Sequence, residues 1–141
     1  MAYNPQPALG QAAMTASLPV AIASDQSAVP VGASTTGGLL ATTGAIKDTA
    51  TAVKGSAGQV YGWYFYNSNN AVVYVQIFNE VAASVTVGTT TPAYILPIPP
   101  LSGANAFGLG ITHGTGISLA ITTSRTTGAP TNNVDYSIFY K

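Results

Sequence analysis

The sequence predicts an all-β protein: a jelly-roll-like β-sandwich of about eight strands that follows an extended N-terminal arm. After residue 47, short segments rich in Val, Ile, Tyr and Phe alternate with turn residues. Turn signals about every 8–12 residues are the spacing of an all-β sandwich or barrel. No segment has a convincing helical pattern, and loops of uneven length favour a double-sheet jelly roll.

The arm is predicted to span residues 1–46, and the sandwich domain residues 47–141. The arm contains one aromatic residue, Tyr3, and one charged residue, Asp25, and its prolines favour extended backbone. An arm without a core of its own gains order only where another surface holds it. A disordered linker is the alternative. Two short apolar segments suit shallow grooves on a neighbouring chain, and the candidate contact residues are Leu18, Pro19, Val20, Ile22, Val29, Pro30 and Val31.

The strongest local signal is a predicted hairpin made of residues 60–66 and 71–79. The first of these segments, VYGWYFY, holds five of the thirteen aromatic residues of the chain. Between the two segments lie Asn and Ser residues, which tolerate turn conformations. Both segments carry large side chains on both faces, which predicts that one face packs in the core and the other on another subunit. The candidate interface residues are Tyr61, Trp63, Phe65, Tyr74 and Phe78.

The other predicted strands are shorter. Pro97 should place its strand at a sheet edge, because proline cannot donate a hydrogen bond to a neighbouring strand. The segment ISLAIT alternates apolar with small or polar residues, as a half-buried strand does. These strands are predicted at residues 50–54, 81–87, 93–98, 105–111, 117–122 and 134–140.

Charge is scarce in this chain. Four basic and four acidic residues make up 6% of the sequence, whereas about 25% is typical of soluble domains. Because 47% of the residues are apolar, this composition predicts a folded protein whose surface is largely covered in its working state. The few scattered cations argue against nucleic acid as a partner. No apolar stretch is long enough for a membrane helix, and no secretion signal is recognisable.

The sequence predicts no catalytic, cofactor or metal site. There is no cysteine, and His113 is the one histidine that a triad or a metal site would have to use. The carboxylates are spread along the chain, and no nucleophile elbow or phosphate-binding loop is present. We therefore expect a protein that is not an enzyme, in which His113 lies in a turn and has a packing or hydrogen-bonding role.

The aromatic residues have a second interpretation as a sugar-stacking surface. Tyr and Trp present an apolar body with a polar tip, which suits stacking on sugar rings. Packing in the core and at a subunit interface is the favoured interpretation. Asn67, Asn69 and Asn70 could supply amide groups near the rings, and they keep the glycan alternative open.

Several segments resemble a family of small structural proteins of tailed-bacteriophage virions. The residues that carry the resemblance are 53–62, 74–79, 87–92, 98–99, 116–120 and 133–141. Residues 18–31, LPVAIASDQSAVPV, are similar to an element that precedes varied virion domains. The resemblance implies a virion component with a jelly-roll-like domain, often trimeric. It does not distinguish a capsid decoration protein from a fibre or baseplate module.

The leading functional hypothesis is a capsid decoration, or cement, protein on the outer capsid surface of the virion. Its partners would be the major capsid protein and other copies of itself in a homotrimer. Arms of several copies would staple neighbouring capsomers, since linked weak contacts hold far better than single ones. The alternative is a tail fibre, baseplate or receptor-binding module that recognises a host surface glycan. Neither hypothesis involves nucleic acid, a membrane or a cofactor.

Overall fold

The computed structural model describes residues 38–141. These residues form an all-β sandwich with eight strands and one short 3-10 helix, at Ala82–Ser84. The predicted fold class is therefore confirmed. The strands are β1 (Leu40–Ile46), β2 (Thr51–Lys54), β3 (Gly58–Asn67), β4 (Val73–Phe78), β5 (Tyr94–Ile98), β6 (Ser102–His113), β7 (Ile117–Thr122) and β8 (Val134–Tyr140).

The strands form two antiparallel four-stranded sheets. Sheet 1 has the order β1-β8-β3-β6, and sheet 2 has the order β2-β7-β4-β5. The pairs β1·β8, β2·β7, β3·β6 and β4·β5 are nested, as if one long hairpin had been folded over on itself. That arrangement is the double-sheet jelly roll, in which two sheets pack face to face and enclose the core.

The core lies between the sheets and consists mainly of branched aliphatic side chains. Alternate residues of β4 and β7 point into it, including Val75, Ile77 and Leu119. Phe65 of β3 and Ile138 of β8 close it from sheet 1, and both side chains are fully buried. The sandwich is thus held together by non-local contacts between strands that are far apart in sequence.

The structure corrects the predicted hairpin. The strands β3 and β4 lie in different sheets and do not pair with each other. The residues between them cross from one sheet to the other, and hydrogen bonds from the side-chain amide of Asn67 to backbone groups elsewhere in the chain hold this crossing in place. Asn67 Nδ2, which carries two N–H donors, lies within hydrogen-bond distance of three carbonyl oxygens, those of Ala71, Ile98 and Pro99.

The predicted domain boundary after residue 46 is also corrected. The seven residues of β1 pair along their whole length with β8, so they belong to the sandwich. Small residues in LATTGAI gave this strand little local signal. The rest of the predicted arm, residues 1–37, lies outside the described residues.

One predicted strand, at residues 81–87, is wrong. This segment contains the 3-10 helix and irregular backbone, and Gly88 follows with a φ of 91°. Its alternation was weak, and Ser84 and Val85 make short-range hydrogen bonds back to Val81 and Ala82. By contrast, Pro97 lies in β5 at the edge of sheet 2, as predicted.

Candidate interaction surface

The outer face of sheet 1 carries the largest exposed aromatic side chains of the described residues. Phe107 is 67% exposed and Tyr64 is 45% exposed. The register places Tyr64 beside Asn105 and Ser137, and Phe107 on the same side of the sheet two positions further along. We call this surface, made of Tyr64, Tyr66, Phe107 and Phe139, the aromatic face.

Gly62 shapes the centre of the aromatic face. It pairs with Phe107 on one side and with Phe139 on the other, and the two rings meet across it with centroids 5.4 Å apart. A Cβ atom at position 62 would lie 2.9 Å from the Ala106 backbone oxygen and against the Phe107 ring. The absence of a side chain here therefore allows two rings from different strands to form one apolar patch.

This face is nearly uncharged. Asp135 is the one charged residue in the strands of sheet 1. It lies opposite Tyr66 and Ala45, towards one end of the sheet. Uncharged apolar patches with a polar rim are typical of contact surfaces.

The outer face of sheet 2 is covered by the chain itself. Phe78, Ser118 and Thr122 point away from the core, yet each is fully buried. Ser118 Oγ donates to the Glu80 carbonyl oxygen at 2.9 Å. Gln76 Nε2 donates to the Arg125 carbonyl oxygen at 2.9 Å and to that of Thr126 at 3.1 Å, which fixes the long loop between β7 and β8 over the sheet. Within residues 38–141, the outer face of sheet 1 is thus the more open of the two.

The predicted interface residues divide into three groups. Phe65 and Phe78 are fully buried in their own subunit, so their assignment to an interface is wrong. Trp63 is half-buried against the core, 6.0 Å from the Tyr94 ring. Tyr61 and Tyr74 are partly exposed, on β3 and on the outer face of sheet 2. Because side chains alternate along β3, the sequence could have placed Tyr64 on the face opposite to that of Phe65. The glycine-rich surroundings of Phe107 give no comparable signal.

The asparagines proposed for glycan binding serve mainly as internal connectors. Asn67 Oδ1 accepts hydrogen bonds from the Asn69 backbone N–H and side-chain amide, at 2.9 and 3.0 Å. Asn69 also donates to the Asn132 carbonyl oxygen at 3.0 Å and accepts from the Asn132 backbone N–H at 2.6 Å. These two amides brace three connections at one end of the sandwich, so only Asn70, which is exposed, is available to a ligand.

His113 is the last residue of β6 and is 1% exposed, so its predicted place in a turn is corrected. Its Nε2 lies 3.4 Å from the Tyr94 hydroxyl, and Nδ1 has no hydrogen-bond partner among residues 38–141. Burial lowers the pKa of the His113 imidazole, because desolvation disfavours the charged form, and the nearby Phe78 backbone offsets this only in part. Burial also raises the pKa of Tyr94 to about 12.

Stability is therefore expected to fall as the pH is lowered from 7 through the region below about 6.5, the ordinary pKa of histidine. The unfolded chain binds a proton on His113 more readily than the folded chain, so acid favours unfolding. One proton accounts for at most about 1.4 kcal/mol per pH unit. Denaturant unfolding of the wild type and of His113→Gln between pH 7 and 5 checks this. If the free energy of unfolding fell equally steeply with decreasing pH in both proteins, the prediction about His113 would be contradicted.

The described residues contain no group of three or more His, Cys, Asp or Glu side chains that could hold a metal ion. No helix within residues 38–141 has the length and apolar character needed to cross a membrane. The predicted arm contacts, from Leu18 to Val31, lie outside the part of the chain that the structure describes. The absence of enzymatic activity stays a prediction.

Comparison with known proteins assigns no family. No family model matches the sequence, and no curated protein matches it. Among solved structures, the chain is similar to one from Bacillus endospore appendages, described as a novel family of disulfide-linked pili. The two chains are 9% identical, with 79% of this chain and 96% of that chain covered and a TM-score of 0.32. A similarity this low carries no argument about function.

Proposed function

We propose that this protein is a bacteriophage capsid decoration protein that binds the outer capsid surface and staples neighbouring capsomers. The observation that carries the proposal is the aromatic face, with Phe107 67% and Tyr64 45% exposed on a sheet whose strands hold one charged residue. A rigid jelly roll with one open apolar face suits a protein that works against another surface. The sequence resemblance to virion structural proteins supports the capsid as that surface.

The N-terminal segment has a defined point of departure from this body. The chain enters β1 at Leu40, which pairs with Tyr140, so residue 38 and the C-terminus leave the sandwich at the same end. The apolar segments around Pro19 and Pro30 would then reach capsid subunits or neighbouring decoration proteins. In a homotrimer, the expected assembly, three arms and three bodies would hold the particle by multivalent contact.

Deleting residues 1–38 tests the stapling role, because it removes the arm and leaves every described strand intact. The expected result is loss of the protein from purified particles on washing or sedimentation, with unchanged thermal unfolding of the body. A full-length control in which Leu18, Val20, Val29 and Val31 are all replaced by Ser keeps the arm length and removes its apolar side chains. Undiminished retention of both variants on particles would overturn the arm's role.

The second candidate is a glycan-recognising module of a tail fibre or baseplate. It is favoured by one arrangement, the exposed Tyr64 next to Asn105 on the aromatic face, because a ring beside an amide suits a sugar. Copy number separates the candidates: hundreds of copies per particle support a capsid location, and a few to a few dozen support the tail. Glycan-array binding that is lost in Tyr64→Ala would favour this second candidate.

A further inference from the structure

The four edge strands of the sandwich differ in how they discourage pairing with other chains. Exposed edges are usually blocked by proline, charge, irregular pairing or short length. In sheet 2, β5 contains Pro97, while β2 has four residues, a register shift and a terminal Lys54. In sheet 1, the pairing of β6 with β3 is interrupted by an irregularity between Val60 and Gly62. Three of the four edges are therefore protected.

The fourth edge strand, β1, has none of these features. Its seven residues, LATTGAI, include no charge and no proline, and their register with β8 is uninterrupted. Among residues 38–141, no strand pairs with its other side. Leu39 and Leu40 are 50% and 57% exposed where the strand begins. Such a strand is a template for the addition of another strand.

We infer that β1 pairs with β1 of a second copy of this chain, antiparallel and in a register centred on Thr43. A two-fold interface requires a surface that is complementary to itself. The sequence of β1 meets this requirement, because reversing it gives nearly the same order of residue types. The register places Leu40 opposite Ile46, Ala41 opposite Ala45, Thr42 opposite Gly44, and Thr43 opposite Thr43 of the second copy.

These pairs are favourable on both faces of the sheet. Residues that face the core in one copy lie opposite core-facing residues of the other, because each pair joins positions of the same parity. Leu40, which is 57% exposed, lies opposite Ile46 of the second copy, whose side chain is already buried in its own core, so the gain comes mainly from backbone pairing and from the Thr43 pair, since threonine pairs are among the stabilising cross-strand combinations. No charged residue lies within the paired segment. The two copies of sheet 1 would form one continuous eight-stranded sheet.

The contact is independent of the proposed capsid role, and it would join two chains or two trimers. Cysteine crosslinking of the full chain tests it, because the chain has no cysteine. In Thr43→Cys the two cysteines would be directly opposite each other, with Cβ atoms roughly 4.5–5.5 Å apart, so a small shift of these edge strands brings them within the roughly 3.5–4.5 Å of a disulfide. We expect mild oxidation to give a covalent dimer with Thr43→Cys and none with Asn105→Cys. Asn105 is exposed on the same outer face but on the opposite edge strand.

A second experiment tests the register of the proposed β1–β1 pairing. A mixture of Ala41→Cys and Ala45→Cys chains should crosslink to each other more than either does alone. Thr43→Lys would place two ammonium groups opposite each other, so it should halve the mass measured by light scattering while the chain stays folded by circular dichroism. Asn105→Lys, which adds the same charge elsewhere, should leave the mass unchanged.

Several outcomes would overturn the inference. A wild-type mass of one chain or of three chains over a dilution series, together with no crosslink through position 43, excludes the two-fold contact. A monomer in which the β1 amides nevertheless exchange slowly with solvent would identify residues 1–37 of the same chain as the occupant of this edge.

Discussion

Replacing Asn67 with aspartate is expected to destabilise the fold by roughly 3–5 kcal/mol, as breaking a buried network typically does. Asn67 is fully buried, and its Nδ2 lies 2.9 Å from the Ala71 carbonyl oxygen, 3.2 Å from that of Ile98 and 2.9 Å from that of Pro99. A carboxylate at this position can only accept hydrogen bonds, so it would face three acceptors without a donor. Denaturant unfolding at neutral pH measures the loss.

The control for this prediction is Asn70→Asp, which makes the same chemical change at an exposed position of the same connection. It should change stability by no more than about 0.5 kcal/mol. The Asn67→Asp protein should also regain part of its stability in mild acid, since a protonated carboxyl can donate one hydrogen bond. A loss at neutral pH no larger than that of the control would show that the amide does not hold the connections together.

Asn67 also illustrates how much of the fold could be predicted from the sequence. The sequence predicts strands at residues 60–66 and 71–79, because their side chains favour a pleated, half-buried surface. It does not determine which strands they pair with, because a polar turn looks alike whether it closes a hairpin or crosses between sheets. The crossing between sheets is favoured over a hairpin by the hydrogen bonds of Asn67 to Ile98 and Pro99, about thirty residues away.

The strand β1 was missed for a related reason. Between Leu40 and Ile46 the segment LATTGAI consists of small residues and threonines, and its stability as a strand comes from β8 at the other end of the chain. The hydrogen bond from Thr42 Oγ1 to the Tyr140 hydroxyl joins residues 98 positions apart. Local propensity contains no information about a partner at that distance, so the sequence predicts that the segment belongs to the arm.

The aromatic face was only partly predictable. Large side chains occupy both faces of β3, and composition does not say which face is buried. The register shift between Val60 and Gly62 adds to the difficulty. Val60 and Phe65 are an odd number of positions apart in the sequence, yet both are in the core. Strict alternation would have put them on opposite faces.

Phe65→Ala is expected to destabilise the fold by about 3–5 kcal/mol, whereas Phe107→Ala should cost no more than about 1 kcal/mol. Phe65 is fully buried in the core cluster, so its truncation leaves a cavity among tightly packed neighbours. Phe107 is 67% exposed and its ring lies beside that of Phe139 on the outer face, so its removal takes little apolar surface out of the interior. Denaturant unfolding of both variants measures the difference. The dependence of the unfolding free energy on denaturant concentration should be the same as in the wild type.

The same two variants distinguish an effect on folding from an effect on binding to the capsid. If the aromatic face binds the capsid, Phe107→Ala should reduce the retention of the protein on particles at a temperature where the variant is fully folded. Phe65→Ala, once stabilised by low temperature, should bind like the wild type, because its side chain reaches no surface. The opposite result, with weakened binding only in the core variant, would mean that retention depends on the integrity of the fold and that the aromatic face contacts no partner.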